Sequence, residues 1–363
     1  MKILLEGSPE IIMSNPESKH NYFAWPTVAR LQNGKLAVVA SGFRLQHICP
    51  FGKTVISYSE DEGKTYTLPA PVIDTVLDDR DGGIATFGEK GVIVTSFNNV
   101  LDFQRRKARE DAYRLSYLDT VTPEEEAEAL GSWFRISRDG GVTFDKKQKS
   151  PVTSPHGPVE LPDGTMLWVG RTFHSQKLPK EGKECVEAHR IYPDGSMEYL
   201  GEIENVEMDG EYPLSCEPHA IVLEDGRILV HIRMQTKGTK NNIFTIFQSE
   251  SLDGGRTWTK PIRLLDRRGG SPPHLLRHSS GVLICTYARR VAPFGVKAML
   301  SKDGGATWEP DHDLYVNEVS SDLGYPSTVE LKDGSLLTVF YAHPAPGEPA
   351  VIMQQKWRLE NEI

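Results

Sequence analysis

The chain has 363 residues, of which 25% are charged and 38% hydrophobic, with a formal net charge of -9. This balance is ordinary for a globular chain. The negative excess disfavours a nucleic-acid partner but not an anionic small substrate, whose binding depends on the potential inside a cleft. Nowhere does an apolar run reach the roughly eighteen residues a membrane helix needs.

From the N-terminus, Lys2-Ile3-Leu4-Leu5 reads as a lone strand, and Met1 to Pro9 is too polar for a secretion signal, so a cytoplasmic location is expected. Six hairpins follow, each an apolar alternation, a turn at Gly and a second apolar run. They are centred on Gly34, Gly91, Gly164, Gly226, Gly281 and Gly334. Interleaved with them are four copies of S-x-D-x-G-x-T-[aromatic]: Ser59 to Tyr66, Ser137 to Phe144, Ser251 to Trp258 and Ser301 to Trp308. In each, the Asp can accept backbone N–H bonds, the Gly supplies positive φ, and the ring can clamp the turn onto its own sheet. A degenerate copy lies at Pro193-Asp194-Gly195, and the sixth unit has none.

Short strands repeating every 50 to 75 residues or so indicate a propeller. The expected fold is all-β: a single six-bladed β-propeller domain over 1–363, with four-stranded antiparallel blades. Lys2 to Leu5 is the candidate fourth strand of the last blade, beside Val351 to Trp357, closing the ring and covering two sheet edges. One excursion, 100–132, is charge-rich, and Thr122-Pro123-Glu124-Glu125 signals a helix start. It joins the second and third strands of blade 2 and so emerges on the site face, as a lid or an oligomer contact. Its basic run, Arg105 to Arg109, reads as a solvated helix face or as a substrate contact. A smaller excursion runs from Thr172 to Ala188.

In such a meander the hairpins and Asp-turns share one end of the ring, so a central site belongs at the other. Counting back from each hairpin Gly reaches Trp25, Asp81, His156, Glu217, Pro272 and Tyr325; counting forward reaches Arg44, Asn98, Arg171, Arg233, Arg289-Arg290 and Tyr341. A rim this polar is the convergent constellation expected of a site, although any one of its arginines is equally well read as solvated or ion-paired. Cys49, Cys185, Cys216 and Cys285 lack metal-ligand spacing and read as free thiols. No metal and no cofactor is expected, since Asp78-Asp79-Arg80-Asp81 does not follow calcium-loop spacing.

With these turns and hairpins the chain resembles the sialidase superfamily, whose members are six-bladed Asp-box propellers, and the resemblance covers nearly all of it. C-E-P-H-A-I-V-L-E-D-G-R-I-L-V-H-I-R resembles the segment holding the family's Glu and one Arg, here Glu217 and Arg233. G-Y-P-S-T-V resembles the segment holding its nucleophile, here Tyr325. The resemblance implies a Tyr activated by a Glu, an acidic proton donor, and three arginines on a substrate carboxylate. Such a phenol needs a carboxylate in hydrogen-bond reach to take its proton, and a neutral nucleophile avoids repulsion by an acidic sugar. The bland reading of Tyr325 is a rim residue packed on Pro326.

Three positions depart from the family pattern. Phe23-Ala24-Trp25-Pro26 stands where the first Arg is implied, His47 where the acid/base Asp is implied, and at best Lys297 where the third Arg is implied. His47 can serve as acid or base near neutral pH, or merely cap its loop, and Asp81 is in reserve. Arg233, Arg171, Lys297, Lys53, Arg44, Arg80, His156 and Trp25 are the candidate substrate-binding residues. The expected function is an exo-acting, sialidase-like glycoside hydrolase taking a small, acidic saccharide or glycoside. The alternatives are a uronate lyase on the same site and a non-catalytic carbohydrate-binding propeller. Partners are a small saccharide, neither nucleic acid nor membrane, and a second copy of the chain as one possibility.

Overall fold

The computed structural model describes residues 1–173, 186–236 and 242–360. Six antiparallel sheets run in chain order around an axis, making a six-bladed β-propeller. The innermost strands are Tyr22–Arg30, Arg80–Phe87, Val152–Thr153 with Val159–Glu160, Leu214–Val222, Pro273–Arg277 and Gly324–Glu330. They are nearly continuously apolar or buried because both of their faces are covered by neighbouring blades. Strand Lys2–Met13 pairs antiparallel with Val351–Glu360, with Leu5 opposite Trp357, so the N-terminus supplies the fourth strand of blade 6 as expected.

The Asp-turns share one hydrogen-bond set. In the third, Ser251 Oγ donates to Asp253 Oδ1 at 2.8 Å and accepts from Gly255 N at 2.9 Å, while Thr257 Oγ1 donates to Asp253 Oδ2 at 2.6 Å. The bonds from Thr257 hold the Asp253 carboxyl down at about 2. Two of the rings reach beyond their own sheets, whereas the Trp258 indole donates to Gly255 O of its own turn at 3.0 Å. Tyr66, in blade 1, donates to Gln354 Oε1 of blade 6 at 2.8 Å, and Trp308, in blade 5, donates to Gln248 Oε1 of blade 4 at 2.8 Å. Each of these turns therefore staples one blade to the one before it. In blade 2 the left-handed hairpin residue is Gly88 (φ 54), and Gly91 is already in the ladder opposite Phe87.

The excursion in blade 2 forms three helices, α1 (Leu101–Ala108), α2 (Ala112–Leu118) and α3 (Pro123–Ala129). Thr122 caps α3 in a capping box with Glu125, as its sequence signals. The helices bury Leu101, Leu118 and Ala129 against Leu77, and Phe51 packs on Tyr113 and Tyr117 at 5.1 and 4.9 Å between ring centroids. Arg114 Nη1 donates to Ile48 O at 3.0 Å. The excursion thus buttresses the loop that carries His47. Arg105 turns back on Leu118 O and Asp119, and Arg106 pairs with Asp102, so these two members of its basic run are engaged within the excursion itself. Most of the excursion after Thr172 lies outside the described residues.

Candidate active site

Four innermost strands break their ladders at one register. Between Ala24 and Thr27, Arg80 and Gly83, Cys216 and His219, and Gly324 and Ser327, two residues oppose one on the next strand. The first residue of each bulge is left-handed: Trp25 (φ 54), Asp81 (φ 53), Glu217 (φ 50) and Tyr325 (φ 49). This conformation costs a side chain on the order of 1 kcal/mol or more, and bulges re-aim side chains beside sites. The second residue is Pro26, Gly82, Pro218 or Pro326, so three of the four bulges have no amide N–H there to leave unpaired.

The bulges bring side chains from blades 1, 2, 4 and 6 together. Tyr325 Oη donates to Glu217 Oε1 at 2.7 Å, and Arg233 donates to Glu217 Oε2 and, at 3.2 Å, to the Tyr325 hydroxyl. Burial first, then the charges of Glu217 and Asp81, push the Tyr325 phenol well above its usual value. Burial also pushes Glu217 up, but the Arg233 charge and the bonds from Tyr325 and Arg233 outweigh it and leave the carboxyl low. Asp81 goes the other way. Burial, opposed by Arg80 and reinforced by Glu217, raises it to about 6. Two neighbouring carboxyls with pKa values driven apart are the pattern of acid/base assignment.

Trp25 is buried among these groups. Its ring meets those of His47, Tyr341 and Tyr325 at 5.0, 6.0 and 6.4 Å, with the Arg80 guanidinium 4.0 Å from its centroid. Arg80 lies 3.6 Å from Asp81, 3.8 Å from Asp78 and 3.5 Å from His47 Nε2. Arg290, one of the rim arginines, donates to Tyr341 Oη at 2.8 Å and Leu323 O at 2.9 Å. Among the described residues no carboxylate lies within ion-pair distance of it. Its guanidinium sits 5.3 Å from the Tyr325 ring.

Two hollows open on this face. A narrow one of about 130 Å³ is lined by Asp81, Arg171, Glu217, Arg233 and Gln235. A wide one of about 940 Å³ is lined by Lys19, Tyr22, Gln46, His47, Asp322 and His343, among others. Along the axis beneath, His219 stacks on His274 at 4.4 Å, and His156 meets them edge-on at 5.4 and 4.9 Å.

Of the residues singled out in the sequence, the structure brings Tyr325, Glu217, Asp81, Arg233, Arg171, Arg80, Trp25 and His47 to this face. It does not bring Lys297, whose strand alternation aims it at Asp313 and Asp311, at 2.7 and 3.6 Å, on the outer edge of blade 5. Lys53 pairs with Asp74 rather than with the His47 quadrant. Arg44 is fully buried under Trp25, neutralised by Asp78 at 2.6 Å. His156 is buried in the axis, 3.0 Å from Thr27 Oγ1. The rim count also reached Arg290 and Tyr341 without assigning them roles, and it missed Asp322, which lies in an irregular segment outside both counting windows.

Comparison with known proteins bears on the fold. Residues 96–338 match the family model described as a BNR repeat-like domain. No curated protein matches the sequence. Among solved structures, a protein of unknown function from Dyadobacter fermentans aligns over 99% of both chains at 19% identity and a TM-score of 0.75. The Trypanosoma rangeli sialidase bound to the inhibitor DANA aligns over 98% of this chain and 58% of its own, at 12% identity and a TM-score of 0.65. The NanB sialidase of Streptococcus pneumoniae aligns over 97% of this chain and 71% of its own, at 13% identity and 0.66. At such identities the likeness is one of fold. With its Asp-turns, six blades and matched repeat model, the chain belongs to the BNR repeat-like family and has the six-bladed propeller of the sialidase superfamily.

Proposed function

We propose that the protein is a glycoside hydrolase of the sialidase type that acts on a small, acidic saccharide or glycoside. The observation that carries this reading is the 2.7 Å hydrogen bond from Tyr325 to an ionised Glu217, with Arg233 spanning both. In this reading Glu217 takes the phenolic proton as the oxygen attacks the anomeric carbon, which avoids placing a free phenolate beside an anionic substrate. Arg290 and Arg233 meet the anionic group, Arg80 and Trp25 shape the floor, and Arg171 lines the narrow hollow. Proton transfer to the departing oxygen falls to His47, with Asp81, at about 6, as the other candidate. Among the described residues the buried free thiols Cys49 and Cys285 fit the expected cytoplasmic setting.

One observation favours a second reading, a uronate lyase. His47 is backed by a carboxylate at 3.0 Å, the arrangement of a base that abstracts a proton. A screen of arylglycosides and acidic oligosaccharides separates the two. Hydrolysis releases reducing sugar without an unsaturated product, while elimination gives the ultraviolet absorbance of an unsaturated uronate. Tyr325→Phe is expected to bind substrate normally and to lose about 10³-fold or more in kcat; turnover at the wild-type rate would sink the phenol mechanism. Measurable binding with no turnover across the library would leave a carbohydrate-binding propeller.

A further inference from the structure

Asp322 sits between the last strand of blade 5 (Glu309–Asn317) and the first of blade 6 (Gly324–Glu330). Four side chains from blades 1 and 6 converge on its carboxylate. Tyr22 Oη donates at 2.7 Å, Tyr341 Oη at 2.9 Å, His47 Nδ1 at 3.0 Å and His343 Nε2 at 3.3 Å. With its Nδ1–H given to Asp322, the neutral His47 ring presents the Nε2 lone pair, and the nearest donor to it, Arg80 Nη2, is at the long distance of 3.5 Å.

The backbone of His47 is held as firmly as its ring. Arg44 Nη2 donates to His47 O at 2.8 Å, Arg114 of the helical excursion holds Ile48 O at 3.0 Å, and Cys49 N donates to Asp78 Oδ2 at 3.2 Å. Despite this the His47 side chain remains 44% exposed. An imidazole fixed at one nitrogen, propped through its loop and open at the other nitrogen has little packing reason to be so placed. It touches both members of the Trp25–Arg80 pair and lines the wide cleft rather than the Glu217 hollow. At about 940 Å³ that cleft is at the upper end of ligand-pocket volumes, roughly 300 to 1,000 Å³. Lys19 and Gln46 line it with hydrogen-bond donors.

We propose that Asp322 is the positioning residue for His47, and that the wide cleft is the subsite for the saccharide that departs when the bond over Trp25 is cut. This rests on the reading of Tyr325 as nucleophile. As the bond from the anomeric carbon to the departing oxygen breaks and the bond to Tyr325 Oη forms, protonated His47 gives its Nε2 proton to that oxygen. The neutral ring then takes a proton from the water whose oxygen displaces Tyr325, and the phenol recovers its own proton from Glu217. Asp322 stays ionised throughout. It fixes the tautomer and faces the imidazolium, which is how a carboxylate behind a histidine acts.

The test compares two glycosides of the same acidic sugar, one with a second sugar as leaving group and one with nitrophenolate, which departs without needing a proton. In both Asp322→Asn and His47→Gln, kcat/KM for the disaccharide is expected to fall about 10²- to 10³-fold, and that for the nitrophenyl glycoside by less than about tenfold. An equal fall on both substrates, the outcome of a mere clasp between blades, overturns the proposal, as does no fall on either. Nitrogen-15 NMR of the imidazoles provides a readout free of catalysis and valid if Asp322→Asn folds poorly. Neutral His47 in the wild type is expected to carry its proton on Nδ1, and a predominant Nε2–H tautomer would overturn the assignment. Failure of the underlying reading looks different: Tyr325→Phe would then turn over both substrates while the tautomer stayed as stated.

Discussion

Arg290 places beside the Tyr325 ring a guanidinium with no carboxylate of the described residues in ion-pair distance, whereas Arg233, Arg80 and Arg44 each face one. A buried charge without a counter-ion is expensive unless a ligand supplies one. Replacing Arg290 with Met is therefore expected to weaken binding of an acidic saccharide by about 10- to 100-fold, on the scale of a charged hydrogen bond. A neutral analogue should be little affected. Titration calorimetry on both ligands checks this, and equal losses would mean that Arg290 only supports Tyr341. His47 adds a pH effect at the same scale. Partial burial lowers its pKa, the bond to Asp322 works against that, and Arg80 lowers it further. If its cation is the proton donor, kcat/KM for a saccharide leaving group declines as pH rises through a value below 6.5. His47→Gln should flatten that limb, and an unchanged limb would assign it to Asp81.

At the scale of elements, the bulges are what turn a ladder into a site, and Gly324 shows how little room they leave. It precedes Tyr325 with φ 117, and a Cβ there would lie 2.2 Å from the Ala288 Cβ. Gly324→Ala is expected to displace Tyr325 and cost turnover about tenfold or more through misplacement alone, visible as a fall in kcat. The Asp-turns sit at the other end. Ser251→Ala removes the hydroxyl that accepts from Gly255 N and donates to Asp253, so a loss of about 1–3 kcal/mol in stability is expected, with kcat unchanged. Much of this was legible in the sequence. The register of Trp25, Asp81, Glu217 and Tyr325 before their hairpins was, and so was the Thr122 cap. Lys297 and Lys53 were not, because spacing sets a strand position without saying which outer carboxylate a long side chain will meet. Arg44 was counted to the correct end of the ring, but burial under Trp25 depends on packing between blades. Asp322 was hidden because an irregular segment has no period to count.

Across the whole molecule, closure of blade 6 by Lys2–Met13 ties the N-terminus to the strand Val351–Glu360, and the interior of that ring holds titratable groups in neutral form. Burial holds His219 and His231 down at about 3 and places His156 and His274 well below their usual value. The sign follows from linkage. Unfolded imidazoles bind protons below about 6.5 and the buried ones do not, so the unfolded state gains protons as pH falls. The stability these groups contribute is present above about 6.5 and is lost below it, at up to about 1.4 kcal/mol per pH unit for each. Thermal melting between pH 7 and 5 should show uptake of several protons on unfolding, and His231→Gln should remove about one of them; uptake near zero would contradict neutral burial.

The central claim is that Tyr325, with Glu217 behind it, is the nucleophile of an enzyme acting on acidic saccharides. Intact-protein and peptide mass spectrometry after incubation with a fluorinated acidic glycosyl donor tests it most directly. A glycosyl adduct on the peptide containing Tyr325, absent in Tyr325→Phe, is the predicted result. Turnover without an adduct, or an adduct on another residue, would contradict it.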